Sequence, residues 1–180
     1  MYAAANRLTG TLPPGLGALS SLRVLFLYEN QLSGPLPAEY GQLTDLEDLF
    51  LHTNRLEGTI PRAIGAKLNK MRAMFLQGNA FTGNLAPDFF KHSDVETLDM
   101  TNNQLTGQLP PGLFEARNLQ TLALSINCFS GTLPATVCSM TKALVIALDG
   151  LGASTSCSGI VEFPITKIKL FNTLDGTIPP

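Results

Sequence analysis

Tryptophan is absent from this chain, histidine occurs twice and cysteine three times, and charged residues make up only 14% of the 180 positions. Each scarcity excludes something. Twelve basic residues against fourteen acidic ones give a net charge of −2, so no global positive field points to nucleic acid or to an anionic membrane. The longest apolar runs, such as "ALVIAL" at 143–148, are far too short to cross a bilayer, so no membrane segment is expected within the chain. The opening "MYAAANRLTG" has no basic region followed by an apolar core, so no signal peptide is visible. His52 and His92 stand in no metal-ligand spacing, and "GLGAST" lacks the lysine that completes a phosphate-binding loop. No catalytic group, metal or cofactor is expected, and the chain reads as a non-enzyme. What remains is 44% hydrophobic, too apolar for a disordered chain and enough for a sizeable core.

That apolar content is periodic. Asn6, Asn30, Asn54, Asn79, Asn103 and Asn127 recur every 24 or 25 residues. Four residues after each stands a glycine: Gly10, Gly34, Gly58, Gly83, Gly107 and Gly131. An apolar–proline pair follows in five copies, as in Leu36-Pro37 and Leu109-Pro110; the fourth copy has Leu85-Ala86, with its proline one place late. Upstream of each asparagine, leucine-like residues recur at minus eight, minus five and minus three, as with Leu119, Leu122 and Leu124 before Asn127. Self-similarity at such a period signals a solenoid, whose units bury a core only by stacking.

These residues resemble the leucine-rich repeat, and specifically its plant-type subclass, LxxLxLxxNxLxGxIPxxLGxLxx. "LRVLFLYENQLSGPLPAEYGQLTDL" at 22–46 follows that pattern almost position by position. The resemblance implies a right-handed horseshoe or superhelix of α/β-type repeats, with a parallel sheet on the concave side and 3-10, irregular or short-strand structure on the convex side. It also implies a secreted or cell-surface setting, since such repeats are familiar from receptor ectodomains and polygalacturonase-inhibiting proteins. The chain reads as one solenoid over 1–180, regular to about residue 142, irregular over about 143–163 and resumed over about 164–180. It opens mid-strand and closes mid-repeat at "GTIPP", as a fragment of a longer protein would.

The scaffold columns need no ligand to explain them. Positions minus five and minus three point to one face of a strand, because side chains alternate. An asparagine amide can satisfy backbone groups where each strand turns away, so the six asparagines are expected to form a structural ladder. Function in a solenoid is sought instead on the outward concave positions. The minus-four column reads Tyr2, Phe26, Phe50, Phe75, Asp99, Ala123, and the minus-two column Ala4, Tyr28, His52, Gln77, Thr101, Ser125. Phe26, Tyr28, Phe50, His52, Phe75 and Gln77 are therefore the candidate ligand-binding residues, since clustered exposed aromatics anchor recognition surfaces. The expected ligand is a protein, a peptide or a glycan. The favoured setting is a receptor-like protein; the alternatives are a secreted inhibitor, a structural or adhesive wall protein, or the sensing region of a larger receptor kinase. The minus-seven column, Arg23, Glu47, Arg72, Glu96, Gln120, alternates in sign and reads as a neutralised ladder.

One stretch breaks the pattern. In "ALVIALDGLGASTSCSG", Ile146 and Leu148 keep their places, but Leu151 replaces the asparagine. Cys138 and Cys157 flank the break, and a disulfide between them is expected to clamp an irregular internal rung, stabilising it by about 3 kcal/mol. Cys128 is then left over as a partly exposed free thiol.

Overall fold

The computed structural model describes residues 1–91, 93–134, 136–137, 140 and 142–148, together with the backbone of 161–162. Minus-five residues of successive repeats sit side by side: Leu25 pairs with Leu49, Leu49 with Met74, Met74 with Leu98, Leu98 with Leu122 and Leu122 with Ile146. The strands carrying them, Val24–Phe26, Asp48–Phe50, Ala73–Phe75, Thr97–Asp99, Thr121–Ala123 and Val145–Ala147, form one parallel six-stranded sheet in chain order. Each is three residues long with only its central residue buried, as an alternating strand with one face on the core must be.

A second parallel sheet runs along the flank, built from Thr9–Thr11, Gln31–Pro35, Arg55–Thr59, Ala80–Asn84, Gln104–Gly107 and Cys128–Phe129. The repeat glycines lie at or beside these strands with positive φ, +76° at Gly34 and +82° at Gly107, where a side chain would be strained. The prolines then hold extended backbone that leads into short turns of helix. Pro37 (φ −64°, ψ 135°) precedes the 3-10 turn Ala38–Gln42, and Pro61 (φ −60°, ψ 135°) precedes the α-turn Arg62–Lys67. Short helical turns and a second sheet thus form the side of the coil away from the concave strands, where 3-10 or short-strand structure was expected.

Leucine-like columns from every rung merge into one core, in which Leu25, Leu49, Met74, Leu98 and Leu122 have no solvent exposure. No single rung could bury these side chains; each is covered by its neighbours in the stack.

The asparagines close the backbone account between rungs. Asn103 is typical. Its Oδ1 accepts the N–H of Phe81 on the preceding rung (3.0 Å), and its Nδ2 donates to Leu76 (3.1 Å) and Met100 (3.0 Å) carbonyls. Asn30, Asn54, Asn79 and Asn127 repeat both arms. Asn6 bonds carbonyls of its own rung only, Ala3 and Ala4.

The break at 143–163 is partly visible. Val145–Ala147 continues the concave sheet, and Val161–Glu162 pairs in parallel with Gly131–Thr132. Thirteen residues separate Ala147 from Val161, against seven between Ala123 and Gly131 one rung earlier. The extra chain therefore lies between the concave strand and the flanking one. Cys138, Cys157, Leu151 and residues 164–180 lie outside the described residues, as does His92. Cys128 does not: it is disulfide-bonded, which corrects its expected role as a free thiol. Cys128 begins the flanking strand Cys128–Phe129, on the rung before the break.

Candidate functional site

The concave strands place every candidate residue on one surface. Phe26, Phe50 and Phe75 are register partners on adjacent strands, about 4.8 Å apart by strand spacing. Two residues on, Tyr28, His52 and Gln77 return to the same face. All six are half-buried. They cover one another rather than sinking into the core, which lies on the opposite side of the sheet.

Phe26 and Phe50 stack with centroids 4.2 Å apart and planes at 17°, and Tyr28 and His52 stack at 4.6 Å and 13°. Phe75 closes both rows edge-on, at 4.6 Å and 76° to Phe50 and 6.2 Å and 71° to His52. Tyr2 begins the first row, 5.1 Å from Phe26 at 88°, with 74% of its surface exposed. Six rings therefore form one continuous patch. Stacking turns the faces of Phe26 and Phe50 toward each other, and likewise those of Tyr28 and His52.

Burial in this patch lowers the pKa of His52, with the charges of Glu29 and Asp99 opposing the shift, so the imidazole is neutral at physiological pH. Its Nδ1 lies 3.3 Å from the Thr53 hydroxyl. Beside it, the Oε1 of Gln77 is buried without a hydrogen-bond partner. Beyond Phe75 the face changes character. Asp99, Thr101, Thr121 and Ala123 are small or polar, and Asp99 Oδ1 accepts the N–H of Thr101 at 2.9 Å.

Two charge ladders border the patch. Arg23 grips Glu47 through two bonds of 2.8 and 3.0 Å, and Arg72 reaches Glu96 at 3.4 Å. Hydrogen bonding to Arg23 holds the Glu47 carboxyl below its ordinary range. The second ladder escaped the sequence reading. Lys70 pairs with Asp45 at 2.8 Å, Asn118 donates to Asp94 at 3.3 Å, and Lys142 donates to Asn118 at 2.8 Å. Its signal was present two places upstream of the first, in the column Asp45, Lys70, Asp94, Asn118, Lys142. Exposed pairs like these contribute little individually. Among the described residues, no group of three or more His, Cys, Asp and Glu side chains converges as a metal site would require.

Comparison with known proteins agrees with this geometry. The family model described as Leucine Rich Repeat matches residues 21–43 and 94–115. No curated protein shows a significant match. Solved structures do. The ectodomain of the Arabidopsis thaliana membrane receptor kinase GASSHO1/SCHENGEN3, in complex with CASPARIAN STRIP INTEGRITY FACTOR 2, is 33% identical with a TM-score of 0.75, over 80% of this chain and 17% of that one. The plant peptide hormone receptor RGFR1 in complex with RGF2 is 29% identical with a TM-score of 0.80, over 94% of this chain and 28% of that one. Pollen Receptor Kinase 3 is 29% identical with a TM-score of 0.75, over 83% of this chain and 71% of that one. The chain spans less than a third of the length of the first two. With its asparagine ladder, its two parallel sheets and these likenesses, the chain is a leucine-rich-repeat protein whose solenoid is similar to those of plant receptor-kinase ectodomains.

Proposed function

We propose that this chain is a non-catalytic recognition module that binds a peptide or protein segment along its concave face, as the extracellular part of a receptor-like protein. The observation that carries the reading is the continuous ring patch of Phe26, Tyr28, Phe50, His52 and Phe75, flanked by Gln77, on a sheet whose core lies on the other side. Rings already locked by stacking lose little freedom on binding, so contact area converts efficiently into affinity. A run of such rings along parallel strands suits an extended ligand laid across the rungs. Ring orientation favours peptide over glycan. A sugar packs its C–H face on an open aromatic face, and the faces of Phe26 and Phe50 are turned to each other. The RGFR1 and GASSHO1/SCHENGEN3 ectodomains, each described in complex with a ligand, support the same reading. In it residues 1–180 form one solenoid with an irregular rung over about 143–163.

Selection from a displayed library of random linear peptides tests this. The wild-type chain is expected to enrich peptides that Phe50→Ala/Phe75→Ala no longer retains, while that variant keeps its circular dichroism spectrum. Equal retention by both proteins removes the concave patch as the site.

A further inference from the structure

The concave face is unbalanced in charge. Its outward positions from Tyr2 to Ala147, at minus six, minus four, minus two and minus one from each asparagine, carry Asp48, Asp99 and Glu29 and no lysine or arginine. Along the Arg23 border Arg23 pairs with Glu47, Arg72 with Glu96 and Lys70 with Asp45, while Lys142 donates to the neutral Asn118. On the opposite border Arg55 donates to Gln31 at 3.4 Å. His52 is neutral at physiological pH, as derived above. A ligand lying on this face therefore meets Glu29 and Asp99, neither of which is in an ion pair among the described residues.

That charge adjoins the rings at one place. Asp99 is the register partner of Phe75 on the next strand, where the aromatic row ends. Only its Oδ1 is engaged within the rung, by the Thr101 N–H. Gln77 lies two residues along the Phe75 strand, on the same face, with its buried Oε1 lacking a donor. The junction thus combines a carboxylate and an aromatic ring, both of which attract a cation, beside the Gln77 side chain.

We propose that the junction of Phe75, Gln77 and Asp99 receives a basic side chain of the bound peptide, whose neighbouring apolar residues lie along Phe26, Phe50 and Phe75. A guanidinium suits it best, since its plane can lie on the Phe75 ring while its N–H groups reach Asp99. The inference rests on the reading of the concave face as a peptide site and specifies the chemistry of its ligand.

The library selection separates the two. Among peptides retained by the wild-type chain and lost on Phe50→Ala/Phe75→Ala, arginine or lysine is expected at one fixed position beside apolar residues. A synthetic consensus peptide should bind Asp99→Asn at least about ten-fold more weakly, since one charge-assisted contact is removed. Replacing its basic residue by glutamine should weaken binding to the wild-type chain by a similar factor, a measurement that does not depend on the variant folding. Charge reversal on both sides, Asp99→Lys with glutamate in the peptide, should restore affinity. Aromatic-dependent peptides without a fixed basic residue, or with an acidic one, overturn this inference and leave the concave site standing. Unchanged affinity for the glutamine-substituted peptide overturns it likewise. If no aromatic-dependent peptide emerges, the reading of the face as a peptide site falls, and this inference with it.

Discussion

Ile126 occupies a backbone position that few residues tolerate. It has φ +55°, and it is the last of a column, Ala5, Glu29, Thr53, Gly78, Asn102, Ile126, in which every residue is left-handed just before the ladder asparagine. Only Gly78 and Asn102 are suited to that conformation; a β-branched side chain is strained there. Ile126 is also 48% exposed, so its side chain gains little from packing. Ile126→Asn is therefore expected to stabilise the protein by about 0.5–1 kcal/mol, read from the midpoint of chemical denaturation. Asn103 is the opposite case. Only 5% exposed, it accepts the Phe81 N–H and donates to the Leu76, Met100 and Thr101 carbonyls, the first two of which also accept from Asn79 and Asn127. Asn103→Ala is expected to cost about 1–3 kcal/mol, because the buried Phe81 N–H loses the amide oxygen that accepts it. Asn6→Ala, at an exposed end of the ladder, should change stability by less than about 0.5 kcal/mol. The asparagines were legible in the sequence because their spacing is regular. The left-handed column beside them was not, since its residues share a conformation and no chemistry.

Between elements, close approach of the helical turns sets the limits. A Cβ on Gly17 would strike the backbone of Glu39 in the next turn, and one on Gly112 would stand 2.8 Å from the Pro87 carbonyl. Backbone cannot yield as a flexible side chain can. Gly112→Ala should therefore destabilise by about 1–3 kcal/mol, measured by thermal unfolding, as overpacking does. The concave strands make a second prediction, through His52. Its folded pKa is lowered chiefly by burial, with Glu29 and Asp99 opposing. Above about pH 6.5 the imidazole is neutral in both folded and unfolded chains and the shift has no effect on stability. As the pH falls below that value, the unfolded chain takes up the proton first, and stability declines toward the lower folded pKa. His52→Gln should flatten the fall of the thermal midpoint between about pH 7 and pH 5 relative to wild type. The columns of rings were visible as columns. Their stacking geometry was not, because the pairwise tilt depends on side-chain rotamers across two strands.

Across the whole molecule, contacts run from each rung to its neighbours, and stability sums along the stack. Leu98, without solvent exposure, sits in the middle of the concave sheet between the register partners Met74 and Leu122. Leu98→Ala is expected to cost about 2–5 kcal/mol and to broaden the denaturation curve, since a weak central rung uncouples its two flanks. A transition as sharp as wild type would contradict nearest-neighbour stacking. The sequence by itself determined the rung length, the buried columns, the turn chemistry and the face on which a ligand is sought, because each is a local demand repeated every 24 or 25 residues: an apolar face, a satisfied turn, a left-handed bend. Only the tertiary structure decided what arises between rungs. It turned separate aromatics into two stacked rows, joined Asp45 to Lys70 across neighbouring repeats, set Asp99 against the end of the ring row beside an unpartnered Gln77 oxygen, and bonded Cys128. Those contacts join residues from different rungs, and which atoms meet depends on the register and side-chain directions that the stacked strands impose.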